Sequence, residues 1–345
     1  MPTLADVASR AGVSKATASR ALSRAELVAP ATVARVLAAA QELGFVRNRA
    51  ASHLARGRTG IVALVVPTLE NTFFTPIIAG AQARAEAADL QLTVAVHPIA
   101  DEAELAGLTR LATQVDGLVL VAPRGPDALV RAVGALVPTV LVDREIAGME
   151  SIVADTASAF GALADHLVGA GHRSVVYLGG PDGSWQDGQR AAAVAAATHG
   201  RADLHRLGPF PATFAAGTGA VEDVLASGAS AAIPYATSVG LGLVFALRAR
   251  GIASPGEVLV SAERLVADAI GGDVPAIDVD GEEVGREAMA ALVAAMAAAA
   301  VASRPGSGSD SDEAVETSQR RLPVALYWPG GGGVRTPVPS SSRSS

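Results

Sequence analysis

From residue 61 onward, short β-branched apolar runs alternate with longer stretches of helical character. The runs fall at residues 61–66, 92–96, 117–121, 140–142, 174–178, 231–233 and 258–260, and residues 76–88 read as a helix between the first two. Continuous apolar runs of this length suit strands buried on both faces, and strands alternating with helices build parallel sheets covered by helices. About 230 such residues divide more naturally into two doubly wound lobes than one. Aromatic residues make up only 3% of the chain while half of it is hydrophobic, so Ala, Val, Leu and Ile must form the core. The full 345 residues are enough for two or three domains.

In open parallel sheets ligands lie beyond the carboxyl ends of the strands. That rule singles out residues 67–74, 123–124, 143–144, 179–190 and 234–238. Between two lobes these loops would line one cleft, suited to a polar metabolite.

The first sixty residues differ in charge. They hold nine Arg and Lys against three acids, a net +6, while the rest of the chain carries −13. A basic end on an acidic body suits a protein that meets phosphate at one end only, although a solvated charged face has the same composition. Thr3 with Asp6 has capping-box spacing, with Asp in place of Glu. Leu4, Val7, Ala8 and Ala11 then share one helical face, and Gly12 ends that helix. Val13 is expected as a buried turn residue. Ser14 caps a second helix over residues 15–22 with Ala18, Ala21 and Leu22 inward. Pro30 opens a third, whose apolar face is Val33, Val36, Leu37 and Ala40 and which Gly44 closes. Three short helices with a glycine turn between the first two form a helix-turn-helix, the other reading being a small helical bundle with no DNA role. The outward face of the second helix presents Lys15, Ala16, Thr17, Ser19 and Arg20. Arg can bond guanine O6 and N7 in the major groove, and the hydroxyls of Ser14, Thr17 and Ser19 suit phosphates.

These segments resemble the headpiece of the lactose-repressor/galactose-repressor family. The resemblance rests on residues Thr3 to Ala8, Ala11 to Ser14, Thr17 to Leu22 and Ala38 to Phe45. It implies that Lys15, Ala16 and Arg20 face base edges, with Thr3 among the DNA contacts. It also implies that the chain binds a near-palindromic double-stranded DNA operator as a homodimer, leaving a tetramer open. Residues 48–57 resemble the family's hinge helix, which is too short to be stable alone in water. In the family two hinges pair in the minor groove and a leucine, here Leu54, wedges into the central base step, with Ala51 beside it. Asn48 and Arg49 join this DNA-binding set, and a plain linker with an incidental Leu is the alternative. Arg47 stands where the family usually has Pro.

The resemblance continues through Val65-Val66-Pro67 with Asn71, Phe73 and Phe74, then through residues 115–120, 141–144 and 171–173, and Gly179-Gly180-Pro181. It implies a fold like periplasmic sugar-binding proteins and a small-molecule effector, a sugar or sugar derivative. Arg190 sits where the family's effector-binding arginine follows the glycine turn, and a guanidinium there can pair with hydroxyls or a carboxylate. Asn71, Phe73, Asp143, Phe210 and Glu263 complete the expected effector set, with Trp185 and Gln186 weaker members of the same loop. Core packing is the other reading of both Phe residues, and holding a loop is that of Asp143. The chain departs from the family at Ala236-Thr237 (usually Asn-Asp), at residues 261–264 (usually Gly-Phe-Asp-Asp) and at residues 278–280 (usually Arg-Gln-Pro). Lost polar partners change which ligand is tolerated. Either the effector is unusual, or Glu263 and Asp278 take over, or sensing has been lost.

Other chemistry finds no support in the sequence. There is no Cys, which removes disulfides, thiolate metal sites and Cys nucleophiles. The six His lack metal-ligand spacing, and no phosphate loop, dinucleotide fingerprint or nucleophile elbow is present. The chain is therefore expected to be no enzyme and to need no cofactor or metal. With no signal pattern and no confident membrane span, it is expected in the cytoplasm, away from membranes. The expected organisation is a helix-turn-helix domain at 1–46, a hinge helix and linker at 47–59, and a two-lobed effector and dimerisation domain at 60–328. A mobile loop is expected at about 302–318, a last strand within 322–328, and a disordered tail at 329–345. A regulator whose cleft responds to an effector is the leading reading, and a repressor the leading form of it. Its rivals are a DNA-binding protein without effector response, and a solute-binding protein or sugar-processing enzyme on the same fold.

Overall fold

The computed structural model describes residues 2–23, 25–45, 58–271, 273–302, 318–329 and 336–337. The chain divides into two compact units, 1–60 and 61–345.

In the first unit, Thr3 caps helix α1 (Leu4–Ala11) with a complete capping box. Gly12 then turns the chain with φ of 65°, a left-handed conformation that favours glycine. Helix α2 (Lys15–Ser23) and helix α3 (Pro30–Glu42) follow, the latter with Pro in its first turn. Val7, Ala8, Ala11, Ala18, Ala21, Val36, Ala39 and Ala40 form the buried core. Arg10 bonds Glu42 at 2.6 Å, tying the end of α1 to the end of α3. Two expectations fail here. Val13 is only half-buried at the edge of the core. Leu37 is 52% exposed, because Val36, Ala39 and Ala40 supply the inward face of α3 instead. The hinge residues Asn48, Arg49, Ala51 and Leu54, with Arg47 and His53, lie outside the described residues.

The second unit begins with β1 (Ile61–Val66), α4 (Phe74–Ala87), β2 (Gln91–Val96), α5 (Leu105–Ala112), β3 (Leu118–Val121), α6 (Asp127–Gly134), β4 (Thr139–Val142) and β5 (Ser151–Ala154). A second lobe follows, with α7 (Thr156–Gly169), β6 (Ser174–Leu178), α8 (Trp185–Thr198), β7 (Asp203–Leu207), α9 (Phe214–Gly219), α10 (Val221–Ala226), β8 (Ala231–Pro234), α11 (Thr237–Ala249), β9 (Leu259–Val260), α12 (Arg264–Ile270) and β10 (Ala276–Asp278). The chain then returns to the first lobe through α13 (Gly281–Ala302) and β11 (Gln319–Leu322), and crosses again into β12 (Ala325–Tyr327) and β13 (Thr336–Pro337). The first-lobe sheet has the order β11-β5-β4-β3-β1-β2 and the second β7-β6-β8-β9, both with parallel pairing. A small antiparallel sheet, β10-β12-β13, joins the strands near the crossings.

The two-residue period of β1 divides its side chains between two cores. Val62, Leu64 and Val66 pack with Ile77 of α4 and Met289 and Leu292 of α13, whereas Ala63 and Val65 pack with Leu108 of α5 and Val130 and Val133 of α6. Helix α4 crosses α13 at backbone contact. A Cβ on Gly80 would sit 1.9 Å from the Glu282 carbonyl oxygen, and one on Gly285 would sit 2.0 Å from that of Ile77. Helix α13 is long and apolar enough, by length and composition alone, to cross a membrane. Its Val284, Ala288, Met289, Leu292 and Met296 are buried in the first-lobe core.

Strands β5, β7 and β10 were not anticipated. The edge strand β7 is half-exposed and carries Asp203, His205 and Arg206 among its five residues, so it lacks the apolar run of a central strand. The single strand expected within 322–328 is two strands in different sheets, broken at Pro323, which has no N–H for a ladder. The segment 329–345, expected as a disordered tail, contributes Thr336 and Pro337 to β13 opposite Leu326 and Ala325. Most of the expected mobile loop and tail, residues 303–317, 330–335 and 338–345, lies outside the described residues.

Candidate nucleic-acid face and ligand cleft

Helix α2 has one face in the headpiece core and one in solvent. Ala18 and Ala21 are buried, while Lys15, Ala16, Ser19 and Arg20 are exposed and share the opposite face through i,i+4 spacing. Among the described residues, neither the Lys15 ammonium nor the Arg20 guanidinium forms a hydrogen bond or ion pair. Ser14 Oγ accepts the Thr17 backbone N–H at 3.1 Å and lies 2.8 Å from Thr17 Oγ1, so these two hydroxyls organise the start of α2. Thr17 itself is half-buried. Thr3 is exposed, but both its N–H and its hydroxyl donate to Asp6 Oδ2, at 2.7 and 2.8 Å. Those bonds hold the Asp6 carboxyl below its ordinary pKa.

In the second unit, strand ends from both lobes meet. Asp143 follows β4 in the left-handed region, with φ of 54°, and is 2% exposed. Its Oδ1 accepts from the Ala154 N–H at 3.4 Å and, across the lobes, from Gln186 Nε2 at 2.9 Å. On α8, one turn beyond Gln186, Arg190 is 4% exposed. Its Nε donates to Thr156 Oγ1 at 2.9 Å and its NH1 to the Tyr235 carbonyl at 2.8 Å. The Phe160 and Tyr235 rings lie 4.8 and 4.9 Å from the guanidinium carbon. Glu263 precedes α12 and accepts from Thr237 Oγ1.

Asn71, Phe73, Phe74, Ala122, Asp143, Gln186, Arg190, Tyr235, Ala236 and Glu263 line a cavity of about 20 Å³, the space of a single water. Beside it lies a cavity of about 250 Å³ that shares Phe73 and Glu263 and adds Thr72, Thr237, Arg264 and Asp278. Burial drives both Asp143 and Glu263 above the ordinary carboxylate pKa, and the Arg190 charge opposes that rise in each. Asp187 is held differently. It accepts from Tyr177 OH at 2.8 Å, the Gly180 N–H at 2.7 Å and Arg206 at 2.8 Å, which fixes the glycine turn before α8.

Of the expected effector residues, Asn71, Phe73, Asp143, Arg190 and Glu263 share the small cavity. Asn71 also accepts the Phe73 N–H at 3.2 Å, starting the turn into α4. Phe210 lies outside that lining. Its N–H points to the Gly179 carbonyl at 3.3 Å, and its ring packs against the second-lobe core. Sequence reading named Phe74 in the first loop without adding it to the effector set, and passed over Thr156 and Tyr235. Tyr235 lies within a strand end that the topology rule had already singled out, whereas Thr156 follows the unread strand β5. Gln186 is the residue that reaches Asp143. Among the described residues, no group of three or more His, Asp or Glu is arranged to hold a metal ion.

Residues 3–48 match the family model for bacterial regulatory proteins of the lacI family, and residues 59–319 match that for periplasmic binding proteins and the sugar-binding domain of the LacI family. The chain is 32% identical over 200 residues to the maltose regulon regulatory protein MalI of Escherichia coli, an alignment covering 56% of this chain and 58% of MalI. It thus spans less than two thirds of that relative. It is 30% identical over 311 residues to the HTH-type transcriptional regulator CelR of Thermobifida fusca, covering 85% of this chain and 91% of CelR. The crystal structure of the lac repressor dimer bound to operator and the anti-inducer ONPF shares the fold, with a TM-score of 0.73, 23% identity and coverage of 94% and 97% of the two chains.

Proposed function

Because the chain belongs to the lacI family of bacterial regulatory proteins, we propose that it is a sequence-specific DNA-binding transcriptional regulator, a repressor, controlled by a small polar effector. The family consists of transcription regulators, not enzymes. The observation that carries the DNA-binding half is the exposed polar surface of α2, with Lys15 and Arg20 both solvent-facing on a helix whose Ala18 and Ala21 are core. In this reading residues 1–46 read the major groove through Lys15, Ala16 and Arg20, while Thr3, Ser14, Thr17 and Ser19 contact the backbone. Residues 47–59 form a hinge, where Asn48, Arg49, Ala51 and Leu54 meet the minor groove. Residues 60–328 carry the effector cleft and the dimer contacts, and the chain acts in the cytoplasm as a homodimer on a near-palindromic operator.

The effector half rests on the bonds across the cleft. Asn71, Phe73, Asp143, Arg190 and Glu263 converge between two lobes that are joined through Asp143 and Gln186. A ligand that binds one lobe arrangement better than the other shifts the population, and DNA affinity changes reciprocally. Phe210 takes part only if the loop after β7 turns toward the cleft.

Retention of genomic fragments by the purified chain tests the reading. Specific fragments retained at low salt and released steeply as salt rises support it. Retention of none, with and without metabolite extracts, refutes it.

A further inference from the structure

The polar groups that converge in the cleft already spend bonds on the protein itself. On the reading that the chain is an effector-controlled regulator, an effector must compete with those bonds. Asn71 Oδ1 accepts from the Phe73 N–H, Arg190 donates to Thr156 and to the Tyr235 carbonyl, and Glu263 accepts from Thr237. Gln186 is engaged at both ends of its amide. Its Nε2 donates to Asp143 Oδ1 at 2.9 Å across the lobes, and its Oε1 accepts from Thr156 Oγ1 at 3.3 Å. The residue is buried at 4% exposure and lines the central cavity with Asp143 and Arg190.

The lobes leave little room around that amide. The central cavity holds about 20 Å³. A neighbouring one, between Asn71 and Arg124 of the first lobe and Ser184 and Tyr235 of the second, holds about 10 Å³. Small-molecule sites ordinarily enclose about 300–1,000 Å³. Backbone meets backbone as well. A Cβ on Gly183 would sit 2.5 Å from the Arg124 carbonyl oxygen, so the loop before α8 lies directly against the loop after β3. The cavity of about 250 Å³ alongside has Phe73 and Glu263 in its lining but neither Asp143 nor Arg190. A molecule seated there reaches those two only by displacing the Gln186 amide and enlarging the central cavity, which the lobe contacts close.

We propose that Gln186 is an internal competitor of the effector. Its amide holds the place on Asp143 that a ligand hydroxyl takes, and effector binding breaks the Asp143–Gln186 bond and parts the lobes. A carboxamide presents a donor and an acceptor side by side, as neighbouring hydroxyls of a sugar do, so the two suit the same partners. Only the fraction of molecules with that bond open can bind, which lowers the apparent affinity. Gln186 thus sets effector sensitivity by opposing binding, the reverse of a contact residue.

Titration calorimetry and small-angle scattering on the full chain test this with D-glucose, D-galactose, D-mannose, D-ribose, maltose, cellobiose and lactose. Wild type is compared with Gln186→Met, which keeps the bulk of the side chain and removes both hydrogen bonds, and with Gln186→Ala, which also frees space. At least one sugar should bind both variants roughly three- to tenfold more tightly than wild type. At saturation the same sugar should enlarge the radius of gyration of wild type and leave that of the variants, already larger, nearly unchanged. A sugar that binds wild type as tightly as the variants or more so, a smaller radius on binding, or no binding of any of these sugars by any of the three proteins overturns the inference. Fragment retention by the same preparations separates the two readings. Retained DNA with one of those adverse results refutes the competitor alone, whereas no retained DNA refutes the regulator.

Discussion

Asp143 in the first lobe accepts a 2.9 Å hydrogen bond from Gln186 in the second, and this bond spans the cleft between them. Both side chains are buried, at 2% and 4% exposure. The same Gln186 accepts from Thr156 Oγ1 at 3.3 Å, which in turn accepts from Arg190. The cross-lobe bond therefore belongs to a chain of four side chains, and bonds in such chains reinforce one another. Gln186→Ala should cost about 1–3 kcal/mol in urea unfolding, because buried Asp143 loses a donor. Small-angle scattering on the variant should show a larger radius of gyration as the lobes part. An unchanged midpoint and radius would mean that the bond contributes nothing to closure.

Arg190 holds more than a ligand position. Its removal leaves the Tyr235 carbonyl and Thr156 hydroxyl without their donor, and Asp143 and Glu263 without their shared cation. Arg190→Ala is expected to cost about 3–5 kcal/mol and to abolish the effector response. DNA retention should persist at temperatures below the variant's melting point, since Arg190 is in the second unit. Arg190→Lys should not restore the response, because an ammonium lacks the planar, spread donors that reach Thr156 and the Tyr235 carbonyl while its face lies against two rings. A normal response from Arg190→Ala would remove the residue from the cleft mechanism.

The buried acids set a direction for pH dependence. Asp143 and Glu263 both have folded pKa values raised by burial. The folded state thus holds more protons than the unfolded one between each ordinary carboxylate pKa and its raised value. In that window stability falls as pH rises. Asp143→Asn and Glu263→Gln should each flatten the fall, gaining relative to wild type as pH increases from about 4 toward neutrality. Denaturant titrations across that range check it. A variant whose stability loss grows with pH would show that the ionised carboxylate stabilises the fold.

Close helix approach gives a prediction independent of the cleft. Gly80→Ala and Gly285→Ala each drive a methyl into a backbone carbonyl of the facing helix, at 1.9 and 2.0 Å. A backbone cannot rotate aside as a side chain can, so each substitution should cost about 1–3 kcal/mol or more. Gly188→Ala in α8 is the control, with no other group within 4 Å of the added methyl. It should stabilise by about 0.5–1 kcal/mol. Thermal melts compare the three.

Much of the fold is legible because buried parallel strands leave a plain signature. β1 and β3 are apolar throughout, β4 and β6 are apolar after a first Thr139 or Ser174, and all four are covered on both faces, so composition identifies them. β7 is an edge strand with Arg206 paired to a buried acid, so its sequence follows the site more than the sheet. Leu37 was misassigned because helical spacing marks a face without saying whether a neighbour covers it. The cleft was found by topology and resemblance together. Those methods reached Asn71, Asp143 and Arg190 but not Thr156, whose hydroxyl matters only through residues 30 and 34 positions further along. Phe210 illustrates the converse: it sits on the right loop, yet its ring serves the second-lobe core.

Protection of guanine N7 from dimethyl sulfate within a bound fragment tests most directly whether α2 lies in the major groove. Wild-type protein should protect guanines symmetrically in two half-sites at low ionic strength. Arg20→Ala should lose that protection together with about 1–3 kcal/mol of specific affinity. Bound DNA whose guanines stay fully reactive, or whose protection is the same with Ala at position 20, would contradict base reading by this helix.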